Sequence, residues 1–274
     1  MENKEQIIEM LVNDMGMTID EAEIEYESQF GAKTSGSPKI PFPLAKVNNT
    51  AGIAPMGALV FDAERDEDKE VIGFKEVHKL EEIDFIIFSK NSMYNCYDAM
   101  TSKVVAKTCL ANVYQAAGKY VDVISGQPLE KTTDARGKSI TIVKGTDLEM
   151  KYQLLVLVGF KPKGSDEPLT FVNMYLKGAL LFGINKLSDT VNSDKILMNI
   201  VTETAKMGSV KYTEINLDKS EAIELPKEVF SNNLKGILTA NKVHREYVEA
   251  LNAFYIIGSD FDLEESSTSE ELPA

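Results

Sequence analysis

The sequence is poor in the residues that usually carry chemistry. It has two cysteines, Cys96 and Cys109, and two histidines, His78 and His244, in 274 residues. A closed zinc site takes about four nitrogen or sulfur ligands. These four are scattered and form no Cys-x-x-Cys pair, so no metal and no other cofactor are expected. So few cysteines fit a reducing, cytoplasmic compartment. No run approaches the roughly 18 apolar residues of a spanning helix. The opening MENKEQIIEM is too polar for a secretory leader, so no membrane partner is expected.

Signatures of catalysis are missing as well. Arg136-Gly-Lys-Ser139 resembles the end of a phosphate loop, but position 132 is Thr where the first glycine belongs, and the strand-like ITIV follows where a helix should. A calcium loop starting at Asp62 would need a glycine at its sixth position and a glutamate at its twelfth. The acidic run DAERDEDKE places Glu67 at the sixth, and Gly73 follows at the twelfth, so the run reads as a solvated turn. No serine sits in a Gly-x-Ser-x-Gly elbow. An enzyme is not the expectation.

What the chain does have is charge in unusual places. The net charge is −14. Residues 1–30 hold nine acids and one base, and residues 259–274 hold six acids and no base. The stretch between them is balanced, with 28 of each sign. Within it, residues 91–163 carry ten bases and six acids. A neutral body with a mildly basic middle and two acidic ends points to an interaction tail rather than to an acidic fold.

The 43% hydrophobic and 26% charged fractions are those of a globular chain. Residues 1–31 read as an acidic helical hairpin, with Ile7, Ile8, Leu11 and Met15 at helical spacing and a capping box from Thr18 to Glu21. Residues 32–43 read as a linker rich in Ser, Gly and Pro. Residues 44–257 form a strand-rich body. GALVF (57–61), VIGFKEV (71–77), IDFIIF (83–88), SMYNCYD (92–98), KVVAKT (103–108), KYVDVI (119–124) and ITIV (140–143) are its first strands. A hairpin follows over 150–160 and 167–178, then a short helix over 178–187 and strands over 196–203 and 209–217. An amphipathic helix over 232–255 closes the body, with Leu234, Leu238, Val248, Leu251 and Phe254 near one face and His244 on the polar side. Residues 258–274 are too acidic and too poor in apolar residues to fold alone and are expected to be disordered. The expected class is therefore α+β, strand-rich. The order strand, strand, short helix, strand, strand, preceded by a long strand pair, further matches an oligonucleotide-binding (OB) barrel, in which a helix commonly plugs the barrel between its third and fourth strands.

Single strands are gripped by lysines on phosphates and by aromatic rings on bases, each stack worth about 1–3 kcal/mol. Lys90, Tyr94, Tyr97, Lys103 and Lys107 fall within eighteen residues. The hairpin adds Lys151, Tyr175 and Lys177, and the later strand adds Lys211 and Tyr212. By strand alternation Phe171, Asn173, Tyr175 and Lys177 share one face and Val172, Met174 and Leu176 the other. The second set is expected inside, leaving the first as a surface. Phe85, Phe88, Tyr152 and Phe160 are also expected inside. The tail, with Asp260, Phe261, Asp262, Glu264, Glu265, Glu270 and Glu271, would compete with phosphate for such a groove and then recruit partner proteins.

This combination resembles the single-stranded DNA-binding proteins that bacteriophages encode for replication and recombination. The resemblance covers roughly residues 40–274. It rests on PFPLAKVNN, GALVF, IIFSKNSMYNCYD, LLVLVGF and LTFVNMYLKGALL in that order, and on the tail DFDLEESSTSEELPA. It is one of pattern rather than of signature. It implies coating of single-stranded DNA, protection from nucleases, and recruitment of a polymerase or helicase by the tail, in the cytoplasm of a bacterial host. Several such tails end in an aromatic residue, whereas here Phe261 is set well back from Leu272-Pro273-Ala274. Two other functions stay open: a virion structural or assembly protein, and a single-strand annealing recombinase.

Overall fold

The computed structural model describes residues 38–49, 52–67, 71–98, 103–112, 116–193, 195–207 and 210–258. Lys39–Ala274 is one compact unit, separate from Met1–Pro38, and is described here by itself. The expected N-terminal helical hairpin, residues 32–37 of the expected linker and residues 259–274 of the expected acidic tail lie outside the described residues.

The core of the fold is two long antiparallel strands, β4 (Ile83–Tyr97) and β8 (Lys151–Pro162), paired almost end to end. Residues 154–160 of β8, LLVLVGF, are all buried. A strand reads as a continuous apolar run, rather than alternating, when both of its faces are covered. Both are covered here. Leu154, Val156, Val158 and Phe160 belong to a core with Phe85, Ile87, Val172, Met174 and Leu176, while Leu155 on the other face packs with Met93, Leu110, Val248 and Leu251.

Around this pair the sheet runs β13 (Glu221–Glu224), β10 (Ile196–Asn199), β4, β8, β9 (Thr170–Lys177), β1 (Leu44–Val47), β2 (Ala58–Arg65), β3 (Val71–Lys79), with β5 (Val104–Lys107) also on β4. Only β1–β9 is parallel among these pairings. Two ribbons stand apart from it, β6 (Leu129–Thr133) with β7 (Ser139–Val143), and β11 (Thr202–Met207) with β12 (Val210–Ile215).

The expected barrel is not formed. Among the described residues the sheet is open, with β13 and β3 as its two ends. The reason lies in how the first strand is used. β1 inserts parallel to β9, and the β2–β3 hairpin then extends the sheet outward instead of returning to β10. What the fold does keep is the strand-rich α+β class and the C-terminal helix.

Helix α1 (Gly178–Ser188) comes straight off β9. It buries Leu181, Ile184 and Leu187 against the Val156–Val158 face, each fully buried aliphatic side chain contributing roughly 1.5–3 kcal/mol. Gly183 lets it approach β12: a Cβ there would sit 2.8 Å from Ile215 Cβ. Helix α2 (Lys227–Gly258), 32 residues long, covers the opposite face. Its first half lies over Ile86, Leu169 and Leu197, and its second half over Met93, Leu110 and Leu155. At the β4 bulge between Ile87 and Ser89, the Phe88 ring lies across Gly159, where a Cβ would come within 2.6 Å of it.

The inward stripe of α2 differs from the expected one. Ile237, Ala240, His244, Val248 and Leu251 are buried, whereas Leu234 and Leu238 are exposed. The sheet face beneath is itself partly polar, carrying Asn91 and Asn173, so the helix brings polar partners to it. His244 Nδ1 meets Asn173 Oδ1 at 2.7 Å and Nε2 meets Asn91 Oδ1 at 3.0 Å. Near the ends of α2, Asn233 Oδ1 accepts from Leu169 N (3.0 Å). Asn252 accepts from Leu110 N (2.7 Å) and donates to Leu110 O (2.9 Å). Three polar side chains thus fix the helix along its length.

Differences elsewhere are smaller. The two expected strands over 83–98 are one 15-residue strand. KYVDVI forms no strand: Ala117–Lys119 is a 3-10 turn, followed by single bridges at Val121 and Asp122. Asp122 explains this. Its buried carboxylate accepts from Lys107 N (2.8 Å), Ser125 N (2.8 Å) and Ser125 Oγ (2.5 Å), closing a turn where a strand would continue.

Candidate nucleic-acid interface

Beyond the stretch where α2 covers Met93, the same face of the sheet carries two rows set by strand register. Lys151, Asn95 and Lys107 lie directly opposite one another across β8, β4 and β5. Lys177, Gln153 and Met93 form the neighbouring row across β9, β8 and β4. Opposed residues in an antiparallel pair point to the same side, so both rows belong to one face. Three cationic side chains from three strands far apart in sequence are therefore brought to one end of the sheet.

Their environments differ. Lys151 and Lys177 are exposed, and Lys151 is paired with Glu149. Lys107 is half-buried, with Nζ 4.0 Å from the centroid of the Tyr255 ring near the end of α2. Burial pushes its amine below the ordinary lysine range, against the smaller opposite pulls of Cys109 and Asp122. Between the lysines, Asn95 is buried. Its Nδ2 donates to Tyr97 Oη at 3.4 Å, and its Oδ1 has no hydrogen-bond partner among the described residues. A buried acceptor without a donor is uncommon, because leaving it so costs about 1–3 kcal/mol. Tyr97 is 37% exposed beside it, and Lys103 O accepts from Asp98 N (2.9 Å) at the end of the β4–β5 pairing.

Five of the ten expected contact residues thus gather at this end: Tyr97, Lys103, Lys107, Lys151 and Lys177. The other five do not join them. Tyr94 is a core residue, its ring 5.1 Å from Tyr120 and 5.2 Å from Tyr152. Tyr175 lies beneath α2 with Val248 and Leu251, because the Phe171–Lys177 face expected to be open is covered by that helix as far as Tyr175. The complementary expectation agrees with the structure: Val172, Met174 and Leu176 are inside, Phe85 and Phe160 are buried, and Phe88 and Tyr152 are half-buried. Lys90 is on the α1 face, in a polar cleft of about 710 Å³ walled by Ser188–Ser193. Lys211 and Tyr212 are on the β11–β12 ribbon, which packs against α1.

Asn95 and Gln153 were missed because neither is basic or aromatic; only the registers bring them between lysines. The position of Tyr94 has a direct consequence. Tyr94→Ala should lower stability by about 3–5 kcal/mol, as aromatic truncations in cores do. A urea titration of the variant measures this.

Among the described residues no cluster of three His, Cys, Asp or Glu side chains could hold a metal ion, and no helix is long and apolar enough to cross a membrane. Set against family models, curated proteins and solved structures, the chain matches none.

Proposed function

We propose that the chain is a non-catalytic single-stranded DNA-binding protein of replication or recombination, working in the cytoplasm of a bacterial cell. The observation that carries this reading is the convergence of Lys107, Lys151 and Lys177 at the end of the sheet where α2 finishes. The residues that continue the chain from there, 259–274, bring six acids and no base.

The three ammonium groups neutralise phosphates, and Tyr97 offers a ring to a base. The platform is the open sheet, with α1 falling between β9 and β10 in the chain. The acidic tail competes with phosphate for the lysines. Once displaced by DNA, it is free to recruit a polymerase or helicase.

Fluorescence anisotropy with labelled oligo-dT, on the full chain and on a chain stopped after Gly258, tests the proposal. Binding that weakens with salt and tightens on truncation supports both the cationic end and the tail's competition for it. Absence of binding by either form removes the proposal, and the acidic ends then act on protein partners.

A further inference from the structure

A groove of about 450 Å³ opens at the C-terminal end of α2. One wall is the segment Thr108–Ala111, which Asn252 ties to the helix. The other is Lys119–Val123, and Gly126, together with Ile256 of α2, adds to the lining among the described residues. Two of its large aliphatic side chains are well exposed, Val121 at 47% and Ile256 at 59%. Groups of exposed apolar side chains beside a groove mark a docking place. The rim is cationic: Lys119 is exposed in the lining, and the Lys107 ammonium lies over the ring of Tyr255, the residue before Ile256 in α2. The acid in the lining, Asp122, does not oppose an anion there, because its carboxylate is turned inward onto Lys107 N, Ser125 N and Ser125 Oγ.

The segment that leaves α2 matches this groove in both respects. Ile256 lies in the lining, and Phe261 follows five residues later, between Asp260 and Asp262, with Leu263 next. Helix α2 ends at Gly258, and the three residues from there to Phe261 span up to about 10 Å when extended, enough for Phe261 to turn back onto a groove that Ile256 lines. Phe261 and Leu263 are the only large apolar residues between 259 and 271.

We infer that Phe261 and Leu263 dock in the groove between Thr108–Ala111 and Lys119–Val123, with Asp260 and Asp262 against its lysine rim. The tail then has two parts. Its root is an apolar anchor, and its remainder, with Glu264, Glu265, Glu270 and Glu271, is held beside Lys107 at raised local concentration. Docking of the root does not depend on DNA binding, and its measurement needs no DNA.

The chain has no tryptophan, so one introduced indole reports alone. Two full-length variants are compared, Phe261→Trp and Pro273→Trp. Docking predicts blue-shifted emission and loss of acrylamide quenching for Phe261→Trp relative to Pro273→Trp, at every protein concentration. Adding Val121→Glu, or separately Ile256→Glu, should return the Phe261→Trp emission to that of Pro273→Trp. Both substituted side chains are exposed, and unchanged far-UV circular dichroism verifies that the fold is intact. Equal emission of the two tryptophan variants overturns the inference. So does shielding that neither groove substitution relieves, which puts the anchor elsewhere, or shielding that grows with protein concentration, which makes the occupant a second copy's tail.

Discussion

Acidification from pH 7 to pH 4 should cost the protein about 3 kcal/mol of stability through His244 alone, with each pKa unit worth 1.36 kcal/mol. The imidazole is 1% exposed, and burial lowers its pKa from 6.5 to about 4. Its ring nitrogens touch only the side chains of Asn91 and Asn173, while the charged neighbours on α2, Arg245 and Glu246, are exposed. A neutral imidazole has a single N–H. Asn91 Nδ2 is committed to Asn112 Oδ1 at 2.7 Å, so Nε2–H donates to Asn91 Oδ1. Asn173 Nδ2 has no partner among the described residues, and rotation of that amide lets it donate to Nδ1. The unfolded chain takes up a proton as pH falls through 6.5, and the folded chain does not until about 4. The contribution is therefore complete above 6.5 and is lost progressively between 6.5 and 4. Urea midpoints measured over this range for the natural chain and for His244→Asn give the test. Carboxylates common to both cancel, so the difference between the curves should grow with pH. Parallel curves would show that His244 takes up its proton in the fold as readily as in the unfolded chain.

Replacing Lys151 and Lys177 together by Ala should weaken oligo-dT binding about a hundredfold without altering the fold. Both side chains are exposed, so their loss leaves no cavity. A hydrogen bond to a charged group is worth roughly 1.5–3 kcal/mol, about tenfold or more in affinity for each lysine. The salt dependence gives an independent check. Each phosphate contact on a single strand contributes about 0.7 to the slope of log K against log salt, so the double variant should lose about 1.4. An unchanged slope would mean that phosphates do not lie along these strands, whatever the change in affinity. Lys107 is left intact in this test because its amine is half-buried over Tyr255, and removing it would alter packing as well as charge.

Much of the fold was legible because burial on both faces of a strand leaves a strong mark. LLVLVGF in β8 and FVNMYL in β9 announce a covered sheet, and GALLFGINKL announces the helix that follows it. The open edge was not legible. Nothing local to Leu44–Val47 tells whether it lies parallel to β9 or closes a barrel, since partner and direction are set by contacts over 100 residues away. The face of α2 was misread for a more instructive reason. Counting apolar residues selects Leu234 and Leu238, but the helix buries Asn233 in part and His244 almost wholly, because the sheet beneath offers amides as well as aliphatic groups. Polar matching between two elements has no periodic signature of its own. The same limit applied to the candidate interface. Lysines and tyrosines could be counted, but setting Lys107 against Lys151 required two strand registers, and the burial of Tyr94 required the ring pair Tyr120 and Tyr152.

The position of α2 after all the strands it covers also fixes when folding can finish. Asn252 bonds a backbone made 142 residues earlier, and His244 reaches Asn91 across 153. A growing chain therefore exposes Ile86, Leu155 and Leu197 on one sheet face until the ribosome has released that helix. Pairings of such long range form slowly, and uncovered sheet of this kind is where nascent chains associate wrongly. Between synthesis of β9 and release of α2 that apolar face is uncovered, and a premature stop before residue 227 would leave it so permanently.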